Sequence, residues 1–591
     1  MKFNFLHKTL IVIGCFGVQL TFAQKKETNI GSEEVTVVKS YSPTIADAVK
    51  IGETPSLDDD SNTKKETIKY AIFSFPVAST FAPLKGKAED VEKSQREPLY
   101  DNYATLGFGN FSTLNAELFV NQELNNNDYV GGMFRHFSSR GGIKNAELDT
   151  DYFDTNIDLT YGANYNDMSF NLDLGYKNQI YNWYGLPAGF GSLQTPQQRT
   201  DLIKSINPQH SFNTYSIGGT IGLGEQILSG AHLKFLHFAD TFGSTENRFY
   251  VKPTFQFEVG EQAVKTDLLV DYVGGSFENN YTQTNTEEIK YGYTNIGLSP
   301  SFVMLKDDWT LNLGASIFYS MDLENNKNAV FVYPQVNASY KVVGDLMLFY
   351  TGVKGGLEQN SYQQFADGNP FISPTMEDKS SSTFIRPTDK QYDIYAGLKG
   401  KLANNVSYNL KASYLNEKNK ALYKSNDYNE NASNAPYAFG NSFQVVYDDM
   451  KTLSFSGNLK ASFSENVTFG IGATVNEYKN NFQEKAWNLP KVELDSNLDV
   501  VITPKWFAGT QVFYVGERMD IQQNTSIVLP SSAVELPSYF DVNAHLGYKH
   551  NDRLTGFLKA NNLTNKGYQK WMNYPVQGLQ IILGANYKFD F

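Results

Sequence analysis

The end of the chain alternates apolar and polar residues almost without interruption, and this pattern constrains the fold more than any other feature. Apolar residues take every second position: Leu579, Ile581, Leu583, Ala585, Tyr587, Phe589 and Phe591. Polar residues fill most of the positions between them: Gln580, Asn586, Lys588 and Asp590. A period of two places the two sets on opposite faces of one β-strand. The apolar face of such a strand covers either a soluble core or a lipid surface.

The same alternation recurs from about Asp101 to Phe591, for example at 168–177, 406–414 and 453–463. Aromatic residues make up 14% of the chain, yet the mean hydropathy is −0.40. No apolar run after the N-terminus approaches the ~20 residues of a membrane helix. High aromatic content with low hydropathy is typical of a barrel whose lipid-facing apolar residues alternate with polar residues facing a lumen.

The connections between the alternating segments predict 22 strands. An exported single-chain barrel has an even number of strands and alternates short turns with longer loops. Up to Asn416, every long connection follows an odd-numbered segment. The same rule holds to the end of the chain if 438–449 is counted as part of one loop over about 418–451 and not as a strand. Tight turns at 464–466, 504–505 and 550–552 then share one side, which we expect to be periplasmic. Open edges are unfavourable in lipid, so we predict a closed antiparallel transmembrane β-barrel over residues 101–591.

The N-terminus carries an export signal. Lys2 and Lys8 precede an apolar stretch from Leu10 to Val18, and small residues at 21 and 23 suit cleavage before Gln24. Residues 1–23 are therefore predicted to be a signal peptide. An alternative is that Val12 to Cys15 forms a lipobox whose cysteine is acylated. After cleavage at Gln24 the mature chain has no cysteine, which excludes a disulfide framework and a thiolate metal site.

Residues 24–100 form a separate zone that is charged, irregular and too short for a large core of its own. It contains an acidic cluster at 58–60 and a short apolar patch that includes Ile72, Phe73, Phe75 and Phe81. We predict a mostly irregular periplasmic segment in front of the barrel, which places the protein in the bacterial outer membrane with a periplasmic N-terminus.

The last two predicted strands resemble those of TonB-dependent receptors. The similarity is carried by "LKANNLTNKGY" at 558–568, by "YPVQGLQIILGANYKFDF" at 574–591 and by "VGERMD" at 515–520. The resemblance implies a 22-stranded barrel, an N-terminal plug and energy supplied by TonB, which pulls on an extended N-terminal segment. The terminal aromatic residues resemble the sorting signal read by the barrel-assembly machinery during biogenesis: Tyr587, Phe589 and Phe591.

A candidate for the extended segment lies near the mature N-terminus, where a short β-prone run resembles the TonB box of that family: Glu34, Val35, Thr36, Val37 and Val38. An exposed extended peptide can add a strand to a partner sheet through backbone hydrogen bonds. The alternative is an ordinary strand or tether. Residues 24–99 are much shorter than a family plug and lack its glycine-rich and arginine-containing motifs, so the N-terminal segment, inward-folded loops or a second protein would have to occlude the wide lumen.

Ligand contacts are expected in the long loops. Two of these loops, at 180–209 and 361–390, carry aromatic residues among amides: Tyr181, Trp183, Tyr184, Tyr362, Phe365 and Phe371. Such groups suit a sugar, a peptide or a protein partner. The alternative is that these rings pack the loops or belong to an interfacial girdle.

Other chemistry finds no support in the sequence. The net charge of −13 and the lack of a basic patch argue against nucleic acid. His232 and His237 point to opposite faces of a strand, so they cannot share a metal. We find no nucleophile elbow, phosphate-binding loop or zinc-protease motif. We therefore expect no enzyme activity, no cofactor and no metal.

Two functions agree with these features. The first is a receptor for the uptake or binding of a bulky nutrient, in contact with outer-membrane lipid and energised by TonB. The second is a structural barrel subunit without a plug, which docks with a surface lipoprotein or a barrel complex and transports nothing. The candidate TonB box favours the first hypothesis, and the short N-terminal zone favours the second.

Overall fold

The structure, a computed structural model, describes residues 100–591 with the exception of 225, 261, 279, 282–287, 376–384, 429–434 and 523–530. The predicted signal peptide, the alternative lipobox, the candidate TonB box at Glu34 to Val38 and the apolar patch around Phe75 all lie outside the described residues. The predicted barrel at 101–591 lies within them.

The described chain is almost entirely β-structure. Its strands are, in order, β1 (Asn102–Gly109), β2 (Thr113–Glu123), β3 (Asp128–Ser139), β4 (Tyr152–Tyr165), β5 (Met168–Asn182), β6 (Gln209–Gly222), β7 (Leu228–Asp240), β8 (Thr245–Val259), β9 (Gln262–Phe277), β10 (Ile289–Lys306), β11 (Trp309–Asp322), β12 (Lys327–Val343) and β13 (Met347–Glu358). They continue with β14 (Thr388–Ala403), β15 (Val406–Ser425), β16 (Phe443–Ser464), β17 (Val467–Asn480), β18 (Val492–Val501), β19 (Trp506–Val515), β20 (Arg518–Gln522), β21 (Ser532–Leu536), β22 (Tyr539–Lys549), β23 (Leu554–Asn561), β24 (Gln569–Trp571), β25 (Tyr574–Pro575) and β26 (Gln580–Phe589).

Twenty-two of these strands form one antiparallel sheet, and the others form two small hairpins, β20–β21 and β24–β25. The sheet closes because β1 pairs with β26, in a register that runs from Asn102 opposite Phe589 to Gly109 opposite Ile582. Closure gives every edge strand a partner for its backbone N–H and C=O groups. The predicted closed 22-stranded antiparallel barrel is confirmed.

The segment at 438–449 is not a strand of its own, as the parity of the connections predicts. Its second half is the beginning of β16, which pairs with an extended β15 from Lys420 opposite Asp448 to Ser425 opposite Phe443. The connection is therefore 426–442, shorter than the predicted 418–451. Both strands are longer than the 9–11 residues that cross a bilayer. Their extra residues continue the pairing beyond the membrane, so the backbone N–H and C=O groups there remain hydrogen-bonded.

The two faces of the wall follow the alternation in the sequence. In β26, Leu583 is 67% exposed and Tyr587 is 45% exposed, whereas Ile582 is 1% exposed. The exposed side chains face outward, where lipid would cover them, and the intervening positions face the lumen. Lumenal side chains include Asn586, whose Nδ2 donates to Thr105 Oγ1 across the closing pair at 2.7 Å.

The connections differ in length at the two ends of the barrel. One end, the short-turn end, has tight turns such as 166–167, 404–405, 465–466 and 550–553. The other end, the long-loop end, has the connections 183–208, 359–387, 426–442, 481–491, 516–538 and 562–579. The turns predicted at 464–466, 504–505 and 550–552 all fall at the short-turn end.

Two short helices lie in the long loops: α1 (Pro196–Ser205) and α2 (Tyr362–Gly368). Helix α1 begins with a capping box, in which Thr195 and Gln198 exchange hydrogen bonds and Pro196 takes the first helical position. Neither helix in this part of the chain is long and apolar enough to cross a membrane.

The facing of β26 leads to a test. Replacing Leu583 by Lys places a charge on the lipid side, which costs about 2–4 kcal/mol near the bilayer midplane. Replacing Asn586 by Lys adds the same charge on the lumenal side and should cost much less. Urea unfolding in lipid vesicles measures both variants, and equal losses of stability would contradict the facing of this strand.

Candidate functional site: the closed mouth at the long-loop end

The apolar core of the protein lies at the long-loop end. Among the described residues, the largest fully buried side chains come from the long loops or from the strand ends next to them: Trp183, Phe212, Phe238, Phe277, Tyr362, Ile372, Ile385, Leu422, Tyr437, Phe443, Trp487 and Tyr574. A barrel wall with one face in lipid and one facing a lumen buries little on its own. The loops therefore supply the packed core that the wall lacks.

Loops from opposite sides of the barrel meet over the lumen. Strands β5 and β15 are ten places apart in a ring of 22 and so lie nearly opposite each other. The loops that follow them are nevertheless joined, because Asn441 Nδ2 donates to the carbonyl oxygen of Trp183 at 2.8 Å. Tyr184 Oη also donates to the carbonyl oxygen of Pro575 at 2.9 Å. We call the described parts of 183–208, 359–387, 426–442 and 562–579 the loop cap.

Aromatic rings occupy the centre of the loop cap. The Trp183 ring stacks on His210 with centroids 3.9 Å apart, and its Nε1 donates to the carbonyl oxygen of Phe371 at 3.2 Å. Phe371 in turn stacks on Tyr574 at 3.7 Å, and Tyr184 meets Tyr574 edge-on at 4.8 Å. Stacked and edge-on pairs add stabilisation beyond their buried area.

Helix α2 is anchored to the wall at its first residue. The Tyr362 N–H donates to Glu246 Oε2 at 2.6 Å, and the Gln363 N–H donates to Glu246 Oε1 at 3.1 Å. A carboxylate at this position satisfies the free N–H groups of the first turn. The Tyr362 hydroxyl donates to Asp240 Oδ2 at 2.9 Å. Burial, together with the charge of Asp240, raises the pKa of that hydroxyl well above its ordinary value, so it remains a donor.

The far end of α2 contacts other strands. Lys177 Nζ on β5 lies 2.8 Å from Asp367 Oδ1, and the Tyr423 hydroxyl on β15 donates to the carbonyl oxygen of Phe365 at 3.0 Å. The helix therefore contacts β5, β8 and β15, which belong to different sides of the ring. These contacts place α2 across the mouth of the lumen.

A second polar cluster joins the β20–β21 hairpin to the loop cap. Asp520 accepts from the Ser425 N–H at 3.0 Å and from Asn488 Nδ2 at 2.9 Å. Arg518 Nη2 donates to the carbonyl oxygen of Gln569 at 2.8 Å. Burial raises the pKa of the Asp520 carboxyl above its ordinary value. This effect outweighs the hydrogen bonds that the carboxyl accepts, which lower its pKa.

The aromatic residues predicted to contact a ligand are brought together in two groups. Tyr181, at the end of β5, and its neighbours Trp183 and Tyr184 surround Phe371. Tyr362 and Phe365 pack with the strand ends around α2. Trp183, Tyr362 and Phe365 are at most 4% exposed. The rings pack the loops in this structure, as the alternative interpretation holds, and their role in ligand binding stays a prediction.

Sequence reasoning missed the polar residues that fix the loop cap: Asp240, Glu246, Asn441 and Asp520. Asp240, Glu246 and Asn441 are single polar residues without a motif around them, and their roles depend on partners far away in the chain; Asp520 ends the "VGERMD" piece, which gave no sign of its partners. Tyr574 carried a signal, since it begins the Tyr-Pro piece that resembles the receptor family. Within the described residues, no group of three or more His, Cys, Asp or Glu side chains could hold a metal ion.

Comparison with known proteins identifies the fold. No family model and no curated protein matches the sequence. Solved structures do match: the ferric-catecholate import receptor Fiu from Escherichia coli K12 has a TM-score of 0.60 at 11% identity, over 83% of this chain and 82% of that one. The FrpB iron transporter from Neisseria meningitidis gives 0.61 at 12% identity, over 83% and 82% of the two chains.

The copper transporter OprC is also similar, with a TM-score of 0.57 at 12% identity over 83% of this chain and 80% of that one. The chain therefore has the fold of an outer-membrane receptor barrel. More specifically, it resembles TonB-dependent siderophore and metal receptors over most of its length. The 22-stranded barrel implied by the resemblance of 558–591 to that family is confirmed.

The cross-lumen packing leads to a second test. Replacing the buried Trp183 by Ala should cost about 3–5 kcal/mol, because the ring leaves a cavity beneath Tyr437 and His210. Amide hydrogen exchange in 435–442 and 568–576 should then become faster, while exchange in the strands stays unchanged. Trp309→Ala is the control, since this ring is exposed on the outer wall. Unchanged loop exchange in the Trp183 variant would show that the loops do not depend on this ring.

The raised pKa of Asp520 predicts a pH dependence. A carboxyl whose pKa is higher in the folded state than in the unfolded state favours folding when it is protonated. The free energy of opening the hairpin should be highest below the ordinary carboxyl pKa, fall as the pH rises through the raised pKa, and stay constant above it. Exchange of the Ser425 and Ile521 amides, corrected for intrinsic rates, measures this. If the Asp520→Asn variant shows the same pH dependence, Asp520 is not the group that causes it.

Proposed function

We propose that the protein is an outer-membrane receptor that binds a bulky nutrient at its long-loop end and takes it up through the barrel, with energy from TonB. The observation that carries this proposal is the closed 22-stranded barrel, whose fold is similar to that of an import receptor and an iron transporter of known structure. The similar structures are a ferric-catecholate import receptor, an iron transporter and a copper transporter, and this range is why we leave the nutrient open. The short-turn end would face the periplasm.

The loop cap supports a gated receptor. A ring of 22 strands encloses a lumen wide enough to leak, and α2 with the aromatic core lies across one mouth of it. A nutrient would first meet the surface of the cap, because Trp183, Tyr362 and Phe365 are buried. Binding would favour an open arrangement in which these rings, together with Tyr181, Tyr184 and Phe371, become available to the ligand.

Energy would arrive from the periplasmic side. In this proposal TonB binds Glu34 to Val38 by adding them as a strand to its own sheet. The barrel-assembly machinery would read Tyr587, Phe589 and Phe591 at the other end of the chain. Phe591 is 81% exposed and Tyr587 is exposed on the lipid side, so both are available for such a contact.

Deleting residues 33–38 tests the coupling to TonB. The full-length protein should bind the purified periplasmic domain of TonB in a surface-immobilisation assay, and the deletion should weaken binding at least tenfold. Binding should weaken because the deletion removes the residues that would pair with TonB. Deleting 58–63, an acidic stretch of equal length, is the matched control and should leave binding unchanged.

Two outcomes would contradict this part of the proposal. One is binding that survives the deletion of 33–38, and the other is a full-length protein that does not bind TonB at all. Either result would favour the competing hypothesis, a structural barrel subunit whose partners are a surface lipoprotein or a barrel complex. In that case, purification from membranes should recover such a partner with the deleted protein as well.

A further inference from the structure

A small cavity opens into the lumen from the inner wall, where β12 and β13 separate. The two strands pair from the short-turn end as far as Gln335 opposite Lys354. Beyond that point β13 bulges and continues along β14 alone. Gly355 and Gly356 follow at the bulge and carry no side chains, so a space is left beside them. The volume of this cavity is about 220 Å³.

The remaining lining comes from the lumenal face of the wall. Strands β8 to β12 supply it, and the chain neighbours of the lining residues Phe249, Leu298 and Ile317 are 42%, 43% and 49% exposed on the outer face. The alternation of each strand therefore turns the lining residues toward the lumen. The cavity is smaller than the ~300–1,000 Å³ pockets that take drug-sized ligands. Its occupant is therefore a small molecule or one ring of a larger one.

Apolar side chains form part of the lining: Leu269, Phe318 and Leu357. They pack together with Tyr333 in one cluster on the inner wall. The Phe318 ring also lies against Gly297, so closely that a Cβ atom at that glycine would overlap it. The position of the ring is therefore fixed before any ligand arrives, and the cavity has a rigid apolar surface.

Polar groups form the rest of the lining. Gln335 Nε2 donates to the carbonyl oxygen of Gly355 at 2.6 Å, which holds the amide across the gap between β12 and β13. Ser299 Oγ donates to Ser316 Oγ at 2.7 Å. Within the described residues, Gln335 Oε1 and the Tyr250 hydroxyl make no hydrogen bond. Both groups line the cavity and are available to a solute.

The charged groups of the lining compensate each other. Lys252 Nζ lies 2.9 Å from Asp267 Oδ2, and the other oxygen of that carboxylate accepts from Thr254 Oγ1 at 2.8 Å. Among the described residues that line the cavity, no other carries a charge. A charged ligand would lose its water here without gaining a counter-charge. The lining therefore favours a neutral molecule.

We propose that this cavity binds a sugar ring. A sugar is neutral, presents an apolar C–H face and carries several hydroxyls. The C–H face would pack against Phe318 and Leu357, and the hydroxyls would bond to Gln335 Oε1 and the Tyr250 hydroxyl. The site gives the nutrient of the proposed receptor a chemical class, a carbohydrate, and its role in uptake rests on that proposed function.

Saturation-transfer NMR on the full-length protein tests the site, in the detergent lauryldimethylamine oxide, which has no sugar head group. The probes are the methyl glycosides of glucose, galactose and mannose. At least one of them should receive saturable transfer from the protein. Cyclohexanol, a ring of similar size with a single hydroxyl, should not displace it at equal concentration.

Two variants locate the binding. Ser299→Leu fills the cavity and should weaken binding about tenfold or more. Ser301→Leu is its matched control, since it makes the same change on the same face of β10 but outside the lining; it should bind as the wild type does. The double variant Tyr250→Phe/Gln335→Met keeps the apolar lining but removes two hydrogen-bonding groups, and it should also lose about tenfold.

The temperature at which each variant loses its compact gel mobility reports whether the barrel is intact. Four results would overturn the proposal: no transfer to any of the three glycosides, displacement by cyclohexanol, equal loss in the Ser301 variant, or full binding by an intact Ser299 variant. None of these measurements involves TonB, so failure here is distinct from failure of the uptake mechanism.

Discussion

The pairing of β1 with β26 is the interaction on which the rest of the structure depends. In lipid, water cannot satisfy the backbone N–H and C=O groups of an edge strand, so the sheet must end on itself. The eight residue pairs from Asn102 opposite Phe589 to Gly109 opposite Ile582 supply that closure. Once the ring is closed, each strand has one face outside and one face inside. The alternation of the sequence follows from this geometry.

Closure with 22 strands creates a problem that the loops solve. The lumen is too wide for wall side chains to fill, so the described strands form no central core among themselves. The buried aromatic rings lie instead in the loop cap, where Trp183, Phe371 and Tyr574 pack across the mouth. Buried polar groups fix these loops to the wall, as Glu246 and Asp240 do for α2. The loop cap is thus a small folded unit with the barrel rim as its support.

The fold was predictable because its main signal is local. A period of two over each strand, short turns at one end and the parity of the long connections together predict a closed barrel of 22 strands. The last residues also resemble a known receptor family. The arrangement of the loop cap was not predictable in the same way. The hydrogen bond from Asn441 to Trp183 and the stacking of Phe371 on Tyr574 join residues that are far apart in the chain. No spacing in the sequence marks such partners. The extra length of β15 and β16 was missed because a loop rich in polar residues and a strand beyond the bilayer have similar compositions.

Closure through β1 and β26 also has a consequence for the way the barrel is made. Asn102 and Phe589 lie near opposite ends of the described chain, so the seam closes the longest loop, at the largest cost in entropy, and cannot begin to form until β26 has been synthesised. Until then the nascent polypeptide has two unpaired edge strands, each of which can pair with a strand of another chain. The unclosed chain therefore depends on chaperones to stay unaggregated, and not on its own stability.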